Sequence, residues 1–161
     1  MIHIKAPNNF NLNTSFKVFL AGSIEMDKAI QWQQEIVEYT EKESNKLVLL
    51  NPRRDNWNSN WKQDKNNFYF KQQVEWELNA LEASDLVIFY FQPGTISPIS
   101  LLELGLFKDK SIVCCPKEYF RKGNIDIVCE KYNITLVETL EELRILLVKK
   151  FKSYESAIQK I

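Results

Sequence analysis

Apolar residues in this 161-residue chain gather into short unbroken runs instead of alternating with polar ones. Four runs stand out, at residues 17–21, 47–50, 85–90 and 111–115, and a weaker fifth lies at 134–137. Continuous apolar runs of this length predict strands buried on both faces of a parallel sheet. Segments of helical length and period lie between them. Residues 27–43 place Ile30, Gln34, Val37 and Glu41 on one side, with Trp32, Ile36 and Tyr39 nearby. Residues 68–83 repeat Phe70, Val74, Leu78 and Leu81, and residues 99–108 are apolar almost all round. Strands alternating with helices predict a doubly wound α/β fold: one five-stranded parallel sheet with helices on both faces.

In such sheets, ligands bind beyond the carboxyl ends of the strands, where the strand order reverses. That rule selects Gly22-Ser23-Ile24, the long connection 51–67 and the segment 91–98 as the loops to line a site. A connection of this length with no apolar periodicity predicts a binding loop or lid.

Composition narrows the function. The 21 Lys and Arg cancel the 21 Asp and Glu, which removes the general attraction that nucleic acid or an anionic membrane exerts on a basic protein. A small-molecule ligand is expected, with no nucleic-acid or membrane partner. Residues 1–16 are polar and Asn-rich and read as a flexible segment without a secretory apolar core. Residues 17–150 read as one domain and 151–161 as a C-terminal helical extension, in a cytoplasmic protein. Three cysteines, two of them adjacent at Cys114 and Cys115, fit neither a disulfide framework nor a metal site. The chain's one histidine, His3, lies in the N-terminal segment. Acid–base chemistry therefore falls to carboxylates.

Two carboxylates qualify. Ser97 and Pro98 read as the N-cap and first residue of a helix. This sets Glu103 in its second turn, among Ile99, Ser100, Leu106 and Phe107 at helical spacing, close enough to the N-terminus for the helix dipole to favour the ionised form. Glu77 neighbours Val74, Ala80 and Leu81, whereas Glu75 and Glu82 fall among polar residues. Such a pair suits cleavage at an anomeric carbon, one group attacking the sugar and the other exchanging a proton with the leaving group. Gly22 and Ser23, after the first run, offer backbone N–H groups and a hydroxyl to a phosphate or sugar oxygen. Arg53, Asp55 and Trp57 offer guanidinium, carboxylate and indole contacts to a nucleobase. There is no dinucleotide fingerprint and no P-loop lysine.

The segments 19–24 (Phe-Leu-Ala-Gly-Ser-Ile), 51–57 (Asn-Pro-Arg-Arg-Asp-Asn-Trp), 73–78 (Gln-Val-Glu-Trp-Glu-Leu), 83–85 (Ala-Ser-Asp), 97–105 (Ser-Pro-Ile-Ser-Leu-Leu-Glu-Leu-Gly) and 121–124 (Arg-Lys-Gly-Asn) resemble, in order and spacing, the nucleoside 2-deoxyribosyltransferase superfamily in its "-like" branch. The resemblance implies a flavodoxin-like fold and a double-displacement reaction on a nucleoside or nucleotide with no cofactor. In it Glu103 would be the nucleophile and Glu77 would orient or protonate the departing base, with Gly22, Ser23 and Asn124 near the substrate. It also implies a homo-oligomer, because residues of a neighbouring subunit often complete such sites. Transferases of the family carry an aspartate six residues before the nucleophile, and this chain has Ser97 there. Two other functions fit the same residues: a nucleotide-binding sensor without turnover, and cleavage of the glycosidic bond of NAD.

Overall fold

The computed structural model describes residues 1–11, 15–24 and 29–159. Each apolar run is a strand: β2 (Phe16–Gly22), β3 (Leu47–Asn51), β4 (Leu86–Tyr90), β5 (Ser111–Cys114) and β6 (Thr135–Val137). A further strand, β1 (Ile2–Lys5), raises the count from the expected five to six. It comes from the polar N-terminal segment, where only Ile2 and Ile4 mark it, and it pairs in parallel with β3, Ile2 opposite Val48 and Lys5 opposite Asn51. An edge strand with one neighbour needs little apolar character, so its sequence signal is weak. Residues 12–14, which belong to the same expected segment, lie outside the described residues.

The helices are α1 (Trp32–Tyr39), α2 (Phe68–Ala83), α3 (Pro98–Phe107), α4 (Lys122–Tyr132) and α5 (Leu140–Ile158), with a 3₁₀ turn at Lys108–Lys110. The first is shorter than the 27–43 expectation, whose residues 27 and 28 lie outside the described residues. It ends at Thr40, whose hydroxyl donates back to the Ile36 carbonyl. Helix α5 runs without interruption through the boundary expected at residue 151, because Phe151 is itself part of the core. Its start is fixed by a reciprocal capping box between Thr139 and Glu142.

The sheet order is β1-β3-β2-β4-β5-β6, parallel throughout. Helices α2, α3 and α4 cover one face, packing Trp76, Ala80, Leu81, Leu104, Ile125 and Cys129 on Phe19, Ala21, Leu50, Val87 and Phe89. Helices α1 and α5 cover the other, with Trp32, Ile36, Leu143, Leu147 and Phe151 against Val18, Leu20, Leu49 and Ile88. Cys114 and Cys115 fall into opposite layers, as strand alternation requires. The buried residues of α2 are Gln73, Trp76, Ala80 and Leu81; of the expected Phe70-Val74-Leu78-Leu81 repeat Leu81 is buried, Phe70 and Val74 are half-buried and Leu78 is exposed. Among the described residues no helix is long and apolar enough to cross a membrane.

From β2 the chain moves outward to β3, then crosses back over β2 to β4. The order therefore reverses between β2 and β4, and the crevice beyond their carboxyl ends is the place for a ligand.

Candidate functional site

At that crevice β2 ends on Gly22, with φ +135°. A Cβ there would lie 2.3 Å from the Tyr90 carbonyl oxygen and 2.7 Å from its nitrogen. Only glycine lets β2 and β4 close so tightly, so this residue has a structural reason independent of any ligand. The Ser23 N–H then donates to the Tyr90 carbonyl (2.9 Å), and the Ser23 carbonyl accepts from the Trp32 indole (3.0 Å).

The Ser23 hydroxyl is fully buried and accepts from the Gln92 N–H (2.9 Å). It also lies 2.7 Å from both the Thr95 and the Ser97 hydroxyls, and those two are 3.1 Å apart. Thr95 commits its proton to the Gln92 carbonyl (2.8 Å). Ser97 stands at the N-cap position of α3, ahead of Pro98 as expected, but in the left-handed region (φ 48°, ψ 49°) and with no side-chain cap bond. Its hydroxyl joins this triangle instead. Helix α3 is tied to β2 a second time, where the Ser100 hydroxyl donates to the Gly22 carbonyl (3.0 Å).

The anchoring turns a polar side of α3 inward: its buried residues are Ser100, Glu103 and Leu104. Glu103 is 8% exposed, and among the described residues its carboxyl has neither a hydrogen bond nor an ion pair. Burial, together with the charge of Glu77, pushes its pKa up to about 8 from the ordinary 4.5. The helix dipole, expected to favour ionisation, is outweighed. Glu77, on the inner side of α2, is pushed up to about 7 by burial, against the opposing effect of a hydrogen bond from Gln73. Glu75 and Glu82 are exposed, in line with expectation. The sheet topology thus brings α2 and α3 side by side and puts two proton-holding carboxyls within each other's field.

Sequence reasoning passed over Gln73. It is nearly fully buried, and its amide Nε2 donates to the Pro52 carbonyl (2.8 Å) and to Glu77 Oε1 (2.9 Å), while Oε1 has no partner among the described residues. The signal was present: a glutamine one turn before Glu77 on the face that also carries Trp76.

The remaining candidates divide. Arg53 is buried, donating from Nε to Gln33 (2.8 Å) and from a terminal nitrogen to the Ile30 carbonyl (2.8 Å). These bonds stitch the loop after β3 to the first turn of α1 and the residues just before it. Asp55 is 79% exposed at its side chain and pairs with Lys5 of β1. Trp57 is half-buried, edge-on to Trp61 (5.2 Å), with its indole nitrogen buried and without an acceptor among the described residues. Trp61 in turn stacks on Tyr69 (5.1 Å, 14°) under the Arg54 guanidinium. The long connection is therefore an aromatic-bearing loop, ending at Asn67, which caps α2. Asn124 is exposed in the first turn of α4. Asp85 accepts from the Lys17 N–H (2.8 Å), joining the starts of β2 and β4 far from the carboxyl ends. His3 lies within β1, its Nε2 3.1 Å from Asn51 Nδ2. Among the described residues no cluster of His, Cys, Asp or Glu is arranged to hold a metal ion.

A sequence model of nucleoside 2-deoxyribosyltransferase-like proteins matches residues 15–119, which is well over half of the chain. The chain belongs to that family. Both glutamates and the Ser23–Ser97 pair lie inside the matched stretch, and Asn124 lies beyond it. The crystal structure of a conserved protein from Enterococcus faecalis V583 is similar in fold (TM-score 0.58) at 16% identity, over 84% of this chain and 99% of that one. No curated protein matches the chain.

Proposed function

We propose that this protein cleaves the N-glycosidic bond of a nucleoside or nucleotide, with Glu103 as nucleophile and Glu77 as proton donor to the departing base. The observation that carries the reading is Glu103 itself. A carboxylate kept in the interior for structural reasons is paired with a cation or held by hydrogen bonds, because desolvation is otherwise uncompensated. Glu103 has neither among the described residues, and its nearest charged influence is a second carboxyl of the same sign. Such pairs recur where two carboxyls divide the roles of nucleophile and acid.

In the first step a Glu103 oxygen attacks the anomeric carbon and the C–N bond breaks. Its electron pair leaves with the base, which takes the proton held by Glu77. In the second, water or another base attacks the same carbon and releases the Glu103 carboxylate, its proton passing to Glu77. Burial raises both carboxyls, Glu77 to about 7 and Glu103 to about 8, so the first step runs from the form in which Glu103 has given up its proton and Glu77 keeps one, a distribution that bound substrate must favour. The Trp57 indole offers a face and an N–H to the base. Within this reading, Ser97 in place of the family's aspartate leaves Glu77 as the acid.

The test is a panel of deoxynucleosides and their 5′-monophosphates, with and without a free acceptor base, followed by chromatography. Release of base by the wild-type chain and its loss in Glu103→Gln are expected. No release from any member of the panel would dismiss the reading.

A further inference from the structure

Gln73 holds an acceptor that no described residue uses. Its side-chain N–H₂ donates to the Pro52 carbonyl (2.8 Å) and to Glu77 Oε1 (2.9 Å). A carbonyl only accepts, so the Pro52 contact fixes which end of the amide is nitrogen and leaves Oε1 as the other. That oxygen is buried without a donor among the described residues, on a side chain only 4% exposed. Buried acceptors in folded chains are almost always paired, so one left over calls for a donor from outside the chain.

The neighbour of this amide says what kind of donor. Because Glu77 Oε1 takes the Gln73 N–H, the proton of the neutral carboxyl is carried on Oε2. The two side chains, one turn apart on α2 and bonded to each other, thus set a donor, Glu77 Oε2–H, beside an acceptor, Gln73 Oε1. A base that takes its proton from Glu77 at one atom presents the next group along its edge to Gln73.

In a purine the proton that frees the base goes to N7, on the ring that carries the glycosidic bond. Adenine places the N6 amino group beside N7, a donor next to an acceptor, whereas guanine and hypoxanthine place O6 there, a second acceptor. Adenine complements the pair at both atoms. With a 6-oxo purine, O6 faces Gln73 Oε1, lone pair against lone pair, in a buried site. Gln73 cannot turn its amide round to relieve this without setting its oxygen against the Pro52 carbonyl. We infer that Gln73 is a specificity-determining residue that selects a 6-aminopurine, adenine, over 6-oxo purines. This selectivity rests on the glycosidic-bond reading above, with Glu77 as the acid, and narrows its substrate.

The test compares deoxyadenosine with deoxyinosine, as substrates of the wild-type chain and of Gln73→Leu and, by calorimetry, as ligands of Glu103→Gln. The wild-type chain is expected to favour deoxyadenosine by on the order of 100-fold in kcat/KM, and Glu103→Gln to bind it the more tightly. In Gln73→Leu the ratio of the two rates is expected to fall by about tenfold or more. Loss of the Pro52 bond and any shift in the acid act on both substrates alike, so a purely structural role leaves the ratio unchanged. Equal wild-type rates, or a preference for deoxyinosine, would overturn the inference, as would base release by Gln73→Leu at the wild-type ratio. If neither nucleoside is cleaved, binding decides. Tighter binding of deoxyadenosine by Glu103→Gln then dismisses the cleavage reading and keeps the selectivity, whereas equal binding or none ends both.

Discussion

Gln73 and Glu77 face the same way one turn apart on α2, and the Gln73 amide N–H₂ binds the Glu77 carboxyl at 2.9 Å and the Pro52 carbonyl at 2.8 Å. One side chain thus holds the proposed acid and anchors the start of the aromatic-bearing loop. Its hydrogen bond favours the charged form of Glu77, against burial. Gln73→Leu is expected to raise the Glu77 value further and to move the pH optimum of base release upward. It also leaves the Pro52 carbonyl without its donor, at a cost of about 1–3 kcal/mol in stability. Turnover against pH, beside urea unfolding of the same variant, separates the two effects. An unmoved pH profile would show that Gln73 supports the fold alone.

The two raised carboxyls predict how stability varies with pH. Each binds its proton more tightly in the folded chain, at about 7 for Glu77 and about 8 for Glu103, than at the ordinary 4.5 of an unfolded one. Their contribution is fully present below pH 4.5 and is lost as pH rises through 7 and 8. The wild-type chain therefore weakens as pH rises from about 5 to about 8 and levels off above that. Glu103→Gln, which cannot ionise, is expected to be more stable than wild type at pH 9 by on the order of 3 kcal/mol, with the gap closing towards pH 5. Denaturant unfolding at the two pH values checks this, and a gap independent of pH would contradict it.

Gly22 and Gly123 give opposite expectations for one substitution. Gly22→Ala forces a Cβ to within 2.3 Å of the Tyr90 oxygen at a left-handed φ, and a loss of about 3 kcal/mol or more is expected. Gly123→Ala, in the first turn of α4 with open space around it, is expected to be neutral or to gain up to about 1 kcal/mol. Thermal unfolding of both variants decides. Equal effects would mean that the β2–β4 closure at Tyr90 is looser than described.

The fold was largely readable because strands buried on both faces must be apolar without interruption, and each such run became a strand. The misses share a cause. Strand β1 pairs on one side only, so Ile2 and Ile4 suffice and its neighbours stay polar. Phe151 was set apart from the domain because the charges around it masked its inward position. The inward reading of Glu77 and Glu103 from helical spacing agrees with their burial. The hydroxyl triangle of Ser23, Thr95 and Ser97 joins residues more than seventy positions apart, which no local pattern reveals. The same holds for Arg53, whose partners lie across the β2–β3 crossover.

The nucleophile assignment is tested most directly by acid-quenching the chain during turnover of whichever deoxynucleoside or monophosphate it cleaves and sequencing the peptides by mass spectrometry. A deoxyribosyl or deoxyribosyl-phosphate adduct on the peptide carrying Glu103, absent from Glu103→Gln together with base release, is the predicted result. An adduct on another residue, or base release by Glu103→Gln at the wild-type rate, would contradict it.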